Sequence, residues 1–258
     1  MRRKRYDPNE MSFFQHIGEL RARLMWVIGT LLVTVVIGFM FSEQALDILK
    51  APATDELVYL APAEAFLTQL KLALIVGAIF AFPVILYNFI AFLMPALEKS
   101  ERRFLFILLP FALLLFVGGV LFAYYIMLPI AYSFFIGFGD ESLQPFISVR
   151  EYVSFALGLI IPFGLVFQLP LIAMILSQIG IISPAFLRRN RKIALLIVFL
   201  MGAVLTPPDV ISQALMAGPL IFLYEISIFI SRIVTRRKER KERLEELKEE
   251  SEEKEERS

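Results

Sequence analysis

Six runs of this chain are too apolar to rest against water, and they decide what the rest can be. They are Leu24–Phe41, Leu67–Leu93, Phe104–Ile130, Tyr152–Ile182, Ile193–Leu205 and Val210–Val234, each bounded by charges, prolines or polar clusters. Crossing the roughly 30 Å hydrocarbon layer of a bilayer takes about 20 helical residues. The fifth run is short, about 20 Å at ~1.5 Å per residue, so it ends inside the membrane or thins the bilayer around it. The second, fourth and sixth carry internal prolines (Pro83; Pro162 and Pro170; Pro219), which remove a backbone donor and bend a helix. With 58% hydrophobic residues and a mean hydropathy of +0.70, the chain reads as an all-α polytopic membrane protein with six spans, a 1–235 membrane domain and a 236–258 charged tail.

Charge sets the expected orientation. Lys and Arg gather before the first run (Arg2, Arg3, Lys4, Arg5, Arg21, Arg23), between the second and third (Lys99, Arg102, Arg103), between the fourth and fifth (Arg188, Arg189, Arg191, Lys192) and after the sixth (Arg236, Arg237, Lys238, Arg240, Lys241). The alternate segments 43–68 and 129–151 hold Asp47, Asp55, Glu56, Glu64, Asp140 and Glu141 against only Lys50 and Arg150. The positive-inside rule then puts both termini in the cytoplasm. The near balance of 26 basic against 25 acidic residues says little by itself about partners, and no nucleic acid is expected among them. Without cysteine and with one histidine, no disulfide, metal or cofactor site is expected. The paired arginines at the start precede the apolar run by roughly twenty residues and no small-residue cleavage site follows, so a cleaved signal peptide is not expected. Met1 and Met11 both remain possible starts.

The polar residues near or inside the runs carry the functional question. In SFFQHIGELRARL, Phe13, Ile17, Leu20 and Leu24 recur at helical spacing while Gln15, Glu19 and Arg23 share another face. This reads as an amphipathic helix at about 12–23 on the inner leaflet, with Glu19 paired to Arg23 at i, i+4 and His16 as an interfacial side chain. In FLMPALEKSERRFLF, Pro95 ends the second span and Glu98 and Glu101 precede the third, where a helix N-terminus favours carboxylates. A carboxylate at that surface also suits an incoming guanidinium. In LTPPDVISQAL, Pro207 and Pro208 make a tight outer turn and Asp209 is placed to cap the last helix. Gln213 and Glu225 are polar groups in the sixth run, and Gln168 sits inside PFGLVFQLPLIAM. Membrane positions of this kind face a cavity or a neighbouring helix. Carbonyls freed near Pro162 and Pro170 offer Gln168 a purely structural partner. The tail RRKERKERLEELKEESEEKEERS reads as solvated helix or disorder, its basic part suited to anionic lipid.

These stretches, HIGELRARL, FPVILYNFIAFLMPALEKSERR, FGLVFQLP, GIISPAFLRRNRK and LTPPDVISQALMAGPLIFLYEISIFISR, resemble in order the TatC component of the twin-arginine protein translocase, from about Phe13 to Arg232. The resemblance implies a concave, glove-like helical fold. It also implies a receptor for twin-arginine signal peptides on folded precursors, assembled with TatA-like and TatB-like single-span partners into a multimeric translocase driven by the proton-motive force. The family's signal-binding acids fall on Glu19 and Glu101, with Phe92, Pro95 and Leu97 in the surrounding loop. Many relatives carry a glutamate at the position of Gln168. An amide there suits a docking hydrogen bond to a partner helix or signal peptide rather than a proton relay. Two other classes fit less well. A small-solute secondary transporter would show broken helices at matching positions of two halves, and an intramembrane hydrolase would need a nucleophile with its base, or a metal.

Overall fold

In lipid every backbone N–H and C=O must be satisfied within the chain, and helices do this locally. The computed structural model describes residues 13–53, 56–93, 99–137, 146–205 and 210–256, and nearly all of them are helical. In chain order the elements are α1 (Phe13–Met40), α2 (Ser42–Lys50), β1 (Leu57–Val58), α3 (Pro62–Leu93) and α4 (Lys99–Phe122). A π-helical turn (Ala123–Met127) leads into α5 (Leu128–Ile136), followed by β2 (Ile147–Ser148), α6 (Val149–Val166), α7 (Leu169–Ile179), α8 (Pro184–Arg189), α9 (Arg191–Leu205) and α10 (Val210–Glu256).

Among the described residues, five stretches of helix are long and apolar enough to cross a membrane: Ile17–Met40, Pro62–Phe92, Leu108–Ile136, Val149–Ile179 and Ala217–Arg240. The short fifth apolar run forms α9, whose 15 residues give a rod of about 22 Å. The stretch expected as a separate amphipathic helix is continuous with the first span. No proline interrupts it, so α1 runs unbroken over 28 residues. Similarly, α10 carries the last span and the charged tail as one helix of 47 residues, with no break at 235.

Small residues let the helices approach, as membrane packing requires when lipid is as apolar as leucine. A Cβ on Gly38 of α1 would stand 2.5 Å from the Ala73 carbonyl oxygen, and one on Gly77 of α3 would stand 2.6 Å from Val35 Cα. Between α4 and α6, a Cβ on Gly119 would meet the Phe163 carbonyl at 2.7 Å. Large side chains fill the remaining space in two clusters. One gathers Leu72, Leu128, Tyr132, Tyr152 and Phe163; the other gathers Leu86, Ile90, Leu108, Leu171 and Ile175 around Phe82 and Phe116. The rings of Phe82 and Phe116 stack at 3.6 Å.

The pairings run antiparallel from α1 to α3, α3 to α4 and α4 to α6. One end of the bundle therefore holds the start of α1, the end of α3, the start of α4, the end of α7 and α8, where most of the arginines and lysines lie. The other end is closed by α2 and by a two-residue parallel pairing of β1 with β2 (Leu57 with Ile147, Val58 with Ser148). Tyr124 and Tyr152 tie α2 down, donating their hydroxyls to the carbonyls of Ile48 (2.6 Å) and Leu49 (2.8 Å).

Candidate functional site

Near the basic end, Glu19, Ala22, Arg23 and Trp26 of α1 face Val84, Tyr87 and Asn88 of α3 across a groove of about 500 Å³. The α1 residues recur at i, i+3, i+4 and i+7, which puts them on one helical face. The expected Glu19–Arg23 pair forms, with a particular geometry. Arg23 gives both Nε (3.0 Å) and Nη2 to the same carboxylate oxygen, Oε1. Oε2 is buried and has no hydrogen-bond partner among the described residues. A buried acceptor left empty is costly, and an ionised carboxylate accepts at both oxygens. A second donor entering the groove would complete it. Asn88 donates Nδ2 to the Val84 carbonyl at 2.8 Å, so its amide oxygen is the end not engaged there. Trp26 is 73% exposed, and a guanidinium can stack on an indole face.

Phe92 is half-buried in the last turn of α3. Glu101 stands in the first turn of α4, at the same end of the bundle as Glu19, though its side chain lies outside what is described. Pro95, Leu97 and Glu98 fall outside the described residues, as do Pro207, Pro208 and Asp209.

Gln168 occupies the break between α6 and α7, where Pro170 opens the next helix without needing an N–H. It is 6% exposed. Its Nε2 donates to the Ala112 carbonyl of α4 at 3.0 Å, while Oε1 is buried without a partner among the described residues. The donor therefore reaches across to another helix rather than to carbonyls freed by Pro162 or Pro170. One acceptor atom remains for an incoming donor.

Glu225, one of the polar groups of the last span, pairs with Arg191 at 2.9 Å, and Tyr224 donates to the Leu187 carbonyl at 2.8 Å. These contacts seat α8 and the start of α9 against α10. Among the described residues no three His, Cys, Asp or Glu side chains stand together as a metal site. Sequence reasoning missed Trp26, Tyr87 and Asn88. The first was available from its i+7 spacing to Glu19; the others were a polar pair inside an apolar run, with no local sign of what they would face.

Residues 15–219 match the family model described as Sec-independent protein translocase protein (TatC). The chain belongs to the TatC family. It is similar to the Sec-independent protein translocase protein TatC of Carboxydothermus hydrogenoformans, 42% identical over 232 residues, covering 88% of this chain and 96% of that one. It is equally similar to that of Aquifex aeolicus, 42% identical over 236 residues, covering 89% and 98%. A crystal structure of the twin arginine translocase receptor TatC superimposes with a TM-score of 0.79 at 42% identity, covering 85% of this chain and 99% of the other. This TatC chain is thus a membrane-embedded component of Sec-independent protein translocation, a transport function rather than a catalytic one. The TatC match spans both Glu19 and Gln168.

Proposed function

We propose that this chain is the receptor subunit that binds twin-arginine signal peptides at the cytoplasmic face and hands folded precursors on for export. The observation that carries this reading is the Glu19 carboxylate, held at one oxygen by Arg23 with the other oxygen buried and unpartnered among the described residues, beside a groove. A planar guanidinium is the donor best matched to such an acceptor, and an ammonium does not reproduce its fork. Glu101 is the second acid, supplied to the second arginine, with Phe92, Pro95 and Leu97 shaping the loop between α3 and α4. The solved relative described as a twin arginine translocase receptor supports the same assignment.

The rest of the reading follows the family. α9 is the fifth of six spans, short enough to thin the bilayer, in a 1–235 membrane domain with both termini cytoplasmic and a 236–258 tail. TatA-like and TatB-like single-span proteins assemble with it in the inner membrane, and the proton-motive force drives export. Gln168 Oε1 accepts a hydrogen bond from an inserted segment. The deciding experiment is a pull-down of the purified chain with a twin-arginine signal peptide and with its twin-lysine counterpart. The arginine form should bind and the lysine form should not; equal capture of both removes the reading.

A further inference from the structure

Two spans finish at the same level on the basic side. α7 closes on Gly180, whose φ of 86° is open to glycine and strained for other residues, and the chain turns there with Ile181 N–H bonded to the Leu176 carbonyl at 3.0 Å. α10 runs past this turn. The buried hydroxyls of Ser177 and Ser231, 2.6 Å apart, fix the two helices against each other. One turn beyond that contact they part around a cavity of about 230 Å³ lined by Ser177, Gly180, Ser183, Thr235, Lys238 and Glu239.

The donors around this cavity are incompletely used. Lys238 Nζ gives one proton to the Gln178 carbonyl at 3.1 Å and has two more. Ser183 Oγ accepts from the Phe186 N–H at 3.1 Å, which leaves its own hydrogen to donate elsewhere. Thr235 Oγ1 is buried with no partner among the described residues. Beside these donors stands one carboxylate, Glu239, exposed at the rim. The candidate spans containing Ser177 and Lys238 end at Ile179 and Arg240, so the cavity lies at the depth of lipid headgroups.

We propose that this cavity binds a phospholipid headgroup that carries a phosphate next to a primary ammonium, as phosphatidylethanolamine does. The phosphate accepts from Lys238, Thr235 and Ser183, and the ammonium donates to Glu239. An anionic headgroup without an ammonium meets Glu239 unfavourably, and a choline headgroup brings a cation that has no N–H to donate. This site is separate from the Glu19 groove and does not rest on the signal-peptide reading.

The test is lipid retention by the detergent-solubilised full chain, read by native mass spectrometry with equal amounts of phosphatidylethanolamine, phosphatidylcholine and phosphatidylglycerol, and with inorganic phosphate as competitor. The parent should retain phosphatidylethanolamine selectively. Lys238→Gln and Thr235→Val should each reduce that retention about tenfold, the order expected for a lost bond to a charged group. Glu239→Gln should bring phosphatidylethanolamine down to the level of phosphatidylcholine. Thr235→Val guards against a folding artefact, because the hydroxyl it removes makes no bond within the described chain, so its thermal unfolding should match the parent's. Equal retention of phosphatidylglycerol, unchanged retention in the Thr235 variant, or full displacement by inorganic phosphate would each overturn the assignment.

Discussion

The Ser148 hydroxyl donates to Glu64 Oε1, and through that bond one carboxylate ends two helices at once. Glu64 stands at the third position of α3, and its Oε2 reaches back to the N–H groups of Leu60 (2.7 Å) and Ala61 (3.2 Å), half of a capping box. Its Oε1 also accepts from the Arg150 N–H at 3.0 Å, while Ser148 caps α6 by accepting from Glu151 N–H at 3.4 Å. Glu64 and Ser148 are both buried. Glu64→Ala leaves the Ser148 hydroxyl and the N–H groups of Leu60, Ala61 and Arg150 without this acceptor, so it should lower the thermal unfolding temperature in detergent more than Asp47→Ala, which removes an exposed partner of Lys50. Similar melting of the two variants would mean that the cap carries no stability.

Two glycines inside the apolar spans should behave oppositely. Nothing lies within 4 Å of a Cβ built on Gly29, whereas one on Gly77 meets Val35 Cα at 2.6 Å. Gly77→Ala should cost about 1 to 3 kcal/mol, as overpacking does, and Gly29→Ala should be neutral or stabilising by up to about 1 kcal/mol, as in a helix interior. Reversible unfolding in mixed micelles measures both.

For the Glu19 groove, Glu19→Ala and Glu101→Ala should each weaken binding of a twin-arginine peptide by about 1.5 to 3 kcal/mol, the range for hydrogen bonds to charged groups. Because both acids serve one arginine pair, the double variant should cost less than the sum. Glu98→Ala is the control and should have the smaller effect. Calorimetry that finds both single variants at parental affinity would place the receptor site elsewhere.

The shortness of α9 is testable by restoring length. Four leucines inserted after Leu200 add about one turn and should reduce export while leaving peptide binding intact. Export at the parental rate from a stably inserted variant would deny the short helix any mechanistic part.

Gln168→Glu should be tolerated, since a protonated acid still donates to the Ala112 carbonyl and keeps an accepting oxygen. Gln168→Leu removes both functions. The energy concerned is small, about 0.6 kcal/mol for an average interhelical hydrogen bond in a membrane, so the expected defect is weaker crosslinking to single-span partners with the protein still inserted. Parental crosslinking by the leucine variant would leave Gln168 as a tie between α7 and α4 alone.

Where sequence reasoning succeeded, the signal was local. The six apolar runs became α1, α3, α4 with α5, α6 with α7, α9 and α10, and the Glu19–Arg23 pair followed from helical spacing. The break at Phe167–Gln168 sits where Pro170 was marked. What could not be read depends on distant partners. β1 and β2 are two residues each, too short for any alternation to register. Glu64 finds its hydroxyl donor 84 residues away, and Gln168 its acceptor 56 residues away. Tyr87 and Asn88 acquire a role only because Gly38 and Gly77 bring α1 against α3.

The continuity of α10 through residue 235 makes the tail a pointer. The stretch from Lys241 to Glu256 extends about 24 Å with no hinge proline or glycine, so a change in tilt of the last span must swing the far end in proportion. A probe fixed near Ser251 would therefore report rotations inside the bilayer from a position in water, without touching any residue that the groove or the headgroup cavity uses.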